Sequence, residues 1–170
     1  MTVATRWRPM VEGDLTAVIA VADAVHPAYP EDAAVFAERL HLFPKGGAVL
    51  ADGEQIVGYR VAHPWNLAGP PHVDALIGAL PACPMTLLLH DLALRPHARG
   101  SGHAREIVEA TLALAARESL PRITLMAVAG TIPFWSRLGF CKGGMERPAP
   151  EHDGYGACAM PMVREVAAKL

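Results

Sequence analysis

The chain has 170 residues, 52% of them hydrophobic, and a formal net charge of −2. That length fits one domain, residues 1–170, large enough to bury a core without staples. The balanced charge leaves no basic footprint for nucleic acid, and no apolar run is long enough to span a bilayer.

Thr5–Pro9 reads as a short strand ended by proline. A helix starts at Glu12-Gly13-Asp14 with Asp14 as its cap, and a stripe of Leu15, Val18, Ile19 and Ala22 carries it to about Val25. Pro27 and Pro30 forbid a continuous helix through His26–Asp32. A second helix spans Ala33–Leu42. Gly47–Ala51 and Gln55–Ala62 are strands joined by Asp52-Gly53, a strong hairpin signal. His63–Pro84 carries five prolines, with room for a short helix over Val73–Leu80. So long an irregular segment tends to carry function.

Thr86–Leu94 is a near-continuous apolar strand and should lie centrally. Gly102–Glu118 is an amphipathic helix that places Ile107, Val108, Thr111, Leu112 and Ala115 on one face. Arg122–Val128 is another buried strand. Thr131 can cap a short helix with Pro133 in its first turn and Gly139 at its stop. Phe140–Met145 and Ala157–Val163 complete the set. Cys83, Cys141 and Cys158 are an odd number without metal-type pairing, and the N-terminal stretch lacks a signal-peptide apolar run. Reduced thiols in a cytoplasmic protein are the expectation.

The most informative segment is Arg99-Gly100-Ser101-Gly102-His103-Ala104, between the central strand and the long helix. Two glycines there let bare backbone approach a ligand, and the helix start adds free N–H groups and a positive dipole end. Together they suit an anion such as phosphate. The spacing is neither a P-loop nor a Gly-x-Gly-x-x-Gly fingerprint. The plain alternative is a tight turn.

Arg-x-x-Gly-x-Ala, Arg99 to Ala104, resembles motif A of the GNAT acyl-CoA N-acyltransferase superfamily. His90-Asp91-Leu92-Ala93-Leu94-Arg95-Pro96 resembles its fourth strand, and Pro133 to Phe140 resembles its motif B. The resemblance implies an α/β (α+β type) fold: a mixed, mostly antiparallel twisted sheet of six to seven strands with helices on both faces. It implies acetyl-CoA as cosubstrate. Gly100, Ser101, Gly102, His103 and Ala104 would hold the pyrophosphate, and Arg99 would brace the loop or touch phosphate. A bulge in the fourth strand would free backbone groups of Leu92, Ala93 and Leu94 for the pantetheine and the acyl carbonyl. Phe134 and Trp135 would flank the cofactor.

The implied reaction is direct transfer of an acetyl group to a primary amine of a small molecule or peptide. Its base would be His90 or Asp91; strict alternation puts these on opposite strand faces, so one of them should meet the cleft. His63 is a weaker candidate. Trp135 and Val128 stand where many members have tyrosine and asparagine, which weakens acid catalysis from this helix; indole N–H is a donor but no useful acid. Tyr155 is the other phenol that could serve. The segments His26–Asp32 and Trp65–Cys83 would shape the acceptor rim, with Tyr29, Glu31, Asp32, Trp65 and Asp74 able to meet a cationic or aromatic amine. No metal is expected, since His90, His97 and His103 fall on a strand, a loop and a helix. Homodimerisation through Ala157–Leu170 is an analogy at fold level. The competing function is a catalytically idle acyl-CoA-binding or sensing domain.

Overall fold

The computed structural model describes residues 4–147 and 153–167. In chain order the elements are β1 (Arg6–Pro9), α1 (Leu15–Val25), α2 (Ala33–Leu42), β2 (Gly47–Asp52), β3 (Gln55–Trp65), β4 (Thr86–Leu94), α3 (His103–Arg117), β5 (Arg122–Ala127), α4 (Ile132–Arg137), β6 (Cys141–Lys142) and β7 (Met160–Glu165). The strands form one sheet in the order β1-β2-β3-β4-β5-β7-β6. Every neighbouring pair is antiparallel except β4 with β5. This is the mixed, mostly antiparallel architecture that the resemblance implied.

Helices cover both faces because the strands are apolar on both. On one face Val18, Val21 and Ala22 of α1 and Phe36 of α2 pack on Val49, Tyr59, Val61 and Ala93. On the other, Val108, Leu114 and Ala115 of α3 and Trp135 of α4 pack on Leu87, Leu89, Ile123, Leu125 and Met162. A smaller cluster of Leu50, Val57, Leu94 and Ala98 sits beneath Ala104, at the start of α3.

The structure departs from the sequence reading in four places. Residues 73–80 are not helical. Asp74 has φ of 60°, and the segment's backbone groups bond to neighbours instead of each other: Ile77 and Gly78 N–H donate to Glu38, and Arg39 donates to the Ala75 carbonyl. Asp14 does not cap α1 with its side chain; its carboxylate accepts from the Val11 amide and pairs with Arg8 at 2.7 Å. The Thr131 hydroxyl donates to the Val128 carbonyl rather than capping α4. The strand expected over 140–145 shrinks to β6, because Gly143 and Gly144 take φ of 110° and 83° and turn the chain away after the Gly143 amide bonds the Pro161 carbonyl. Of the C-terminal segment weighed as a dimer surface, residues 168–170 lie outside the described chain.

Two irregularities shape the middle of the sheet. Pairing between β4 and β5 covers only Leu87↔Ile123 and Leu88↔Thr124, so the strands part beyond that point. The joined end is pinned by Thr86, whose hydroxyl lies 3.0 Å from that of Thr124 and 3.2 Å from the Arg122 carbonyl. In the β3–β4 ladder, Val61 faces Asp91 while Ala62 faces Leu89, which leaves His90 as the extra residue of a bulge.

Gly46 lies where the chain passes under β3. A Cβ there would sit 1.7 Å from the Ala62 carbonyl oxygen, and backbone cannot swing aside as a side chain can. Gly46→Ala is therefore expected to destabilise the fold by about 3 kcal/mol in urea unfolding. A change within about 0.5 kcal/mol would contradict this packing.

Candidate active site

The parted strands open a cleft with two adjoining cavities that share part of their lining. The outer one, about 400 Å³, is lined by Leu92 and Leu94 of β4, Arg99, Ala104, Val128 and Phe134. The inner one, about 130 Å³, is reached past His26, Tyr29, Leu92 and Phe134, which line both. Its walls add Glu31, His90, Asp91, Trp135 and Tyr155.

At the outer end Gly100 and Gly102 take φ of 82° and 86°, the left-handed region that favours glycine. A Cβ at either would meet nothing within 4 Å, so the space over this turn is open and the demand for glycine is conformational. Glu106 N–H donates to the Gly102 carbonyl, so the amides before it point out of α3 toward the loop mouth. Arg99 Nε donates to the Leu94 carbonyl at 3.0 Å, which ties the loop to the end of β4. Ser101 is exposed, and the His103 carbonyl accepts from the Trp7 indole at 3.0 Å.

The bulge overturns the expected alternation at residues 90 and 91: both side chains line the inner cavity. Each belongs to a histidine–carboxylate pair. His90 Nε2 lies 3.0 and 3.2 Å from the two Glu31 oxygens. A carboxylate only accepts, so Nε2 carries the proton and Nδ1 is left as the basic lone pair; that atom is buried and has no partner. Asp91 lies 3.1 Å from His26 Nε2 and also accepts from the Tyr59 hydroxyl.

Electrostatics follow from these contacts. Burial opposes the charge on Asp91, but His26 and the Tyr59 hydroxyl outweigh it and hold the carboxyl below the usual range. Burial likewise opposes protonation of His26, and Asp91 overrides it, so the imidazole is raised. The His26 contribution to stability is complete below about pH 6.5 and fades above it; the Asp91 contribution is present above about pH 3.8 and fades below. Tyr59 is pushed well up by burial and by Asp91. His63 is fully buried, with its ring 5.9 Å from that of His90, and desolvation with that neighbour lowers it to about 3.

The remaining candidates are walls rather than free groups. The Tyr155 hydroxyl donates to the Pro71 carbonyl at 3.1 Å, and burial with the nearby Glu31 charge raises its pKa. Trp135 packs edge-on against Phe134 and Phe140, with centroids 4.9 and 5.5 Å apart. Ala93 is buried on the α1 face and is not among the residues lining either cavity. Cys83, Cys141 and Cys158 are exposed free thiols outside it. Tyr59 and the pairing of His26 with Asp91 were missed from sequence. A phenol inside the apolar β3 run was the one available signal, and its meaning depends on register. Among the described residues no cluster of three His, Cys, Asp or Glu suits a metal, and no helix is long and apolar enough to cross a membrane.

The acetyltransferase (GNAT) family model matches residues 15–140, which includes the forked strands, the glycine turn and α4. The chain belongs to the GNAT acetyltransferase family. Solved structures share the GNAT fold over nearly the whole chain. Ard1 from Thermoplasma volcanium has TM-score 0.74 at 17% identity, covering 98% of this chain and 100% of its own. GphF, a GNAT-like decarboxylase in complex with isobutyryl-CoA, has TM-score 0.76 at 20% identity, covering 95% and 100%. The ribosomal-protein-S18-alanine N-acetyltransferase from Escherichia coli has TM-score 0.66 at 14% identity, covering 98% and 97%. No curated protein matches the chain in sequence. At these identities the neighbours establish fold, while membership of the family supports acyltransferase activity at the family level.

Because His63 is held neutral in the fold, stability is lost as pH falls from about 6.5 toward about 3. At about 1.4 kcal/mol per unit, the loss from this residue by pH 4 is on the order of 3 kcal/mol. Urea midpoints of His63→Phe should fall less steeply than wild type over that range. An equal slope would show that His63 is not the residue titrating.

Proposed function

We propose that the protein transfers an acyl group, acetyl in the first instance, from acyl-CoA directly to a primary amine. The observation that carries this reading is a cleft of two adjoining cavities, the glycine turn lying between Arg99 and Ala104 on the wall of the outer one and a histidine–carboxylate pair on the wall of the inner one. In this reading the turn at Gly100–Ala104 holds the pyrophosphate, with Ser101 and His103 at its rim. The open edge of β4 at Leu92–Leu94 accepts the pantetheine amides, and Phe134 and Trp135 border the thioester. A free β4 amide faces the carbonyl oxygen as charge develops there.

The ammonium first gives one proton to solvent, the neutral amine attacks the thioester carbon, and His90, oriented by Glu31, takes the second proton from the adduct nitrogen. The tetrahedral adduct collapses, the C–S bond breaks, and CoA leaves as the thiolate, which takes its proton from solvent. No acyl-enzyme forms. A thiolate is a good leaving group near neutral pH, so the reaction does not require the phenol that Trp135 replaces. Asp91 is committed to His26 and Tyr59 and acts as an orienting anion rather than the base. Tyr155 is a cleft wall whose hydroxyl is already engaged.

The test is release of CoA thiol from acetyl-CoA in the presence of a primary amine. His90→Gln should lower kcat by roughly 10²–10⁴ while leaving the KM for acetyl-CoA within about threefold. Gly102→Val should abolish acetyl-CoA binding in calorimetry. Tight acetyl-CoA binding with no amine-dependent release would favour the idle binding domain instead.

A further inference from the structure

We propose that the acceptor is a small monoamine with an apolar body and no carboxylate, and not the N-terminus of a peptide. The inference rests on the amine-transfer reading and narrows it. Three features of the inner cavity carry it: how its far side is closed, how much room it holds, and which charges line it.

The proline-rich segment between β3 and β4 crosses the acceptor end of the cleft and is tied down on both sides. Toward α2, Ile77 and Gly78 amides donate to the Glu38 carboxylate at 2.8 Å each, and Arg39 donates to the Ala75 carbonyl at 2.8 Å. At the start of α2 the Asp32 amide donates to the Asp74 carboxylate. Toward β7, the Val73 amide donates to the Asp153 carbonyl at 2.9 Å, and Tyr155 donates to Pro71. Asp153 is itself buried and held by Arg147 at 3.0 Å. An extended peptide needs an open groove beyond the reacting amine. Here Val73 and Tyr155 wall this side of the cavity, and a peptide running out on this side would have to break these anchors.

The space fits a small occupant. At about 10–15 Å³ for each water-sized occupant, the ≈130 Å³ of the inner cavity holds on the order of ten. A body of roughly ten non-hydrogen atoms fits that space; an amino-acid chain does not.

The charges select the occupant's sign. Glu31 and Asp91 are the acidic lining residues, and no lysine or arginine lines the cavity among the described residues. A protonated amine is drawn in, while a carboxylate beside it meets the same two carboxylates and finds the basic side chains of the wall, His26 and His90, already paired with them. Tyr29, Phe134, Trp135 and Tyr155 offer aromatic surface for an apolar body and for a cation over a ring face.

The experiment uses the wild-type chain with acetyl-CoA and compares kcat/KM across butylamine, 3-methylbutylamine, 2-phenylethylamine, phenylalanine and a ten-residue peptide amide with a free N-terminus. The best of the three plain amines should exceed phenylalanine by at least about tenfold and the peptide by at least about a hundredfold. Peptide turnover equal to or above that of the plain amines would overturn the inference and leave the transfer reading standing. Phenylalanine within about threefold of 2-phenylethylamine would overturn the charge argument and the inference with it. Bound acetyl-CoA with no transfer to any of the five would overturn the transfer reading itself.

Discussion

The parting of β4 from β5 is the constraint on which the rest of the molecule depends. The two strands share two residue pairs and are pinned at that end by the Thr86–Thr124 hydroxyl contact. Beyond it, β4 keeps its ladder with β3 but has an unpaired edge toward β5. An unmade backbone hydrogen bond in a sheltered cleft costs about 1–3 kcal/mol, so such an edge persists only where solvent or a ligand satisfies it. The cores on either face hold the fork open: α1 and α2 press on one side of β3 and β4, and α3 and α4 press on β4, β5 and β7 from the other. The glycine turn lies at the mouth of the fork because the chain must leave the end of β4 and re-enter as α3 across it.

The bulge at His90 decides the chemistry available inside that fork. A regular strand would aim residues 90 and 91 to opposite faces and bury one of them in a helix-packed core. One extra residue aims both into the cleft, where each finds an oppositely charged or polar partner from another element: Glu31 and His26 from the segment between α1 and α2, and Tyr59 from β3. Two carboxylates so close to one another are tolerable because each has its own imidazole. The same α1–α2 segment therefore builds both the charge pairs and part of the acceptor wall.

Much of this was legible in the sequence. Apolar periodicity located α1, α2, α3 and the central strands, and Asp52-Gly53 marked its hairpin, because these features are local. The resemblance of Arg99–Ala104 and Pro133–Phe140 supplied the mixed, mostly antiparallel sheet with helices on both faces, which no local pattern encodes. The bulge was not legible as a register: nothing in His90-Asp91 shows that Ala62 pairs with Leu89 while Val61 pairs with Asp91. For the same reason His26 read as a helix break at the start of a rim segment and not as a partner of Asp91, and Tyr59 was not singled out within its strand. The expected helix at 73–80 failed because partners remote in sequence, Glu38, Arg39 and Asp153, took the backbone groups that a helix would have paired.

Amide hydrogen exchange along β4, with and without saturating acetyl-CoA, tests the central claim most directly. If the open edge of β4 is where the cofactor's backbone-like arm adds, exchange should slow at amides within 92–94 and within the 100–105 turn, while β1, β2 and α2 stay unchanged. Bound acetyl-CoA that leaves both segments at their free rates would place the cofactor elsewhere and contradict the account.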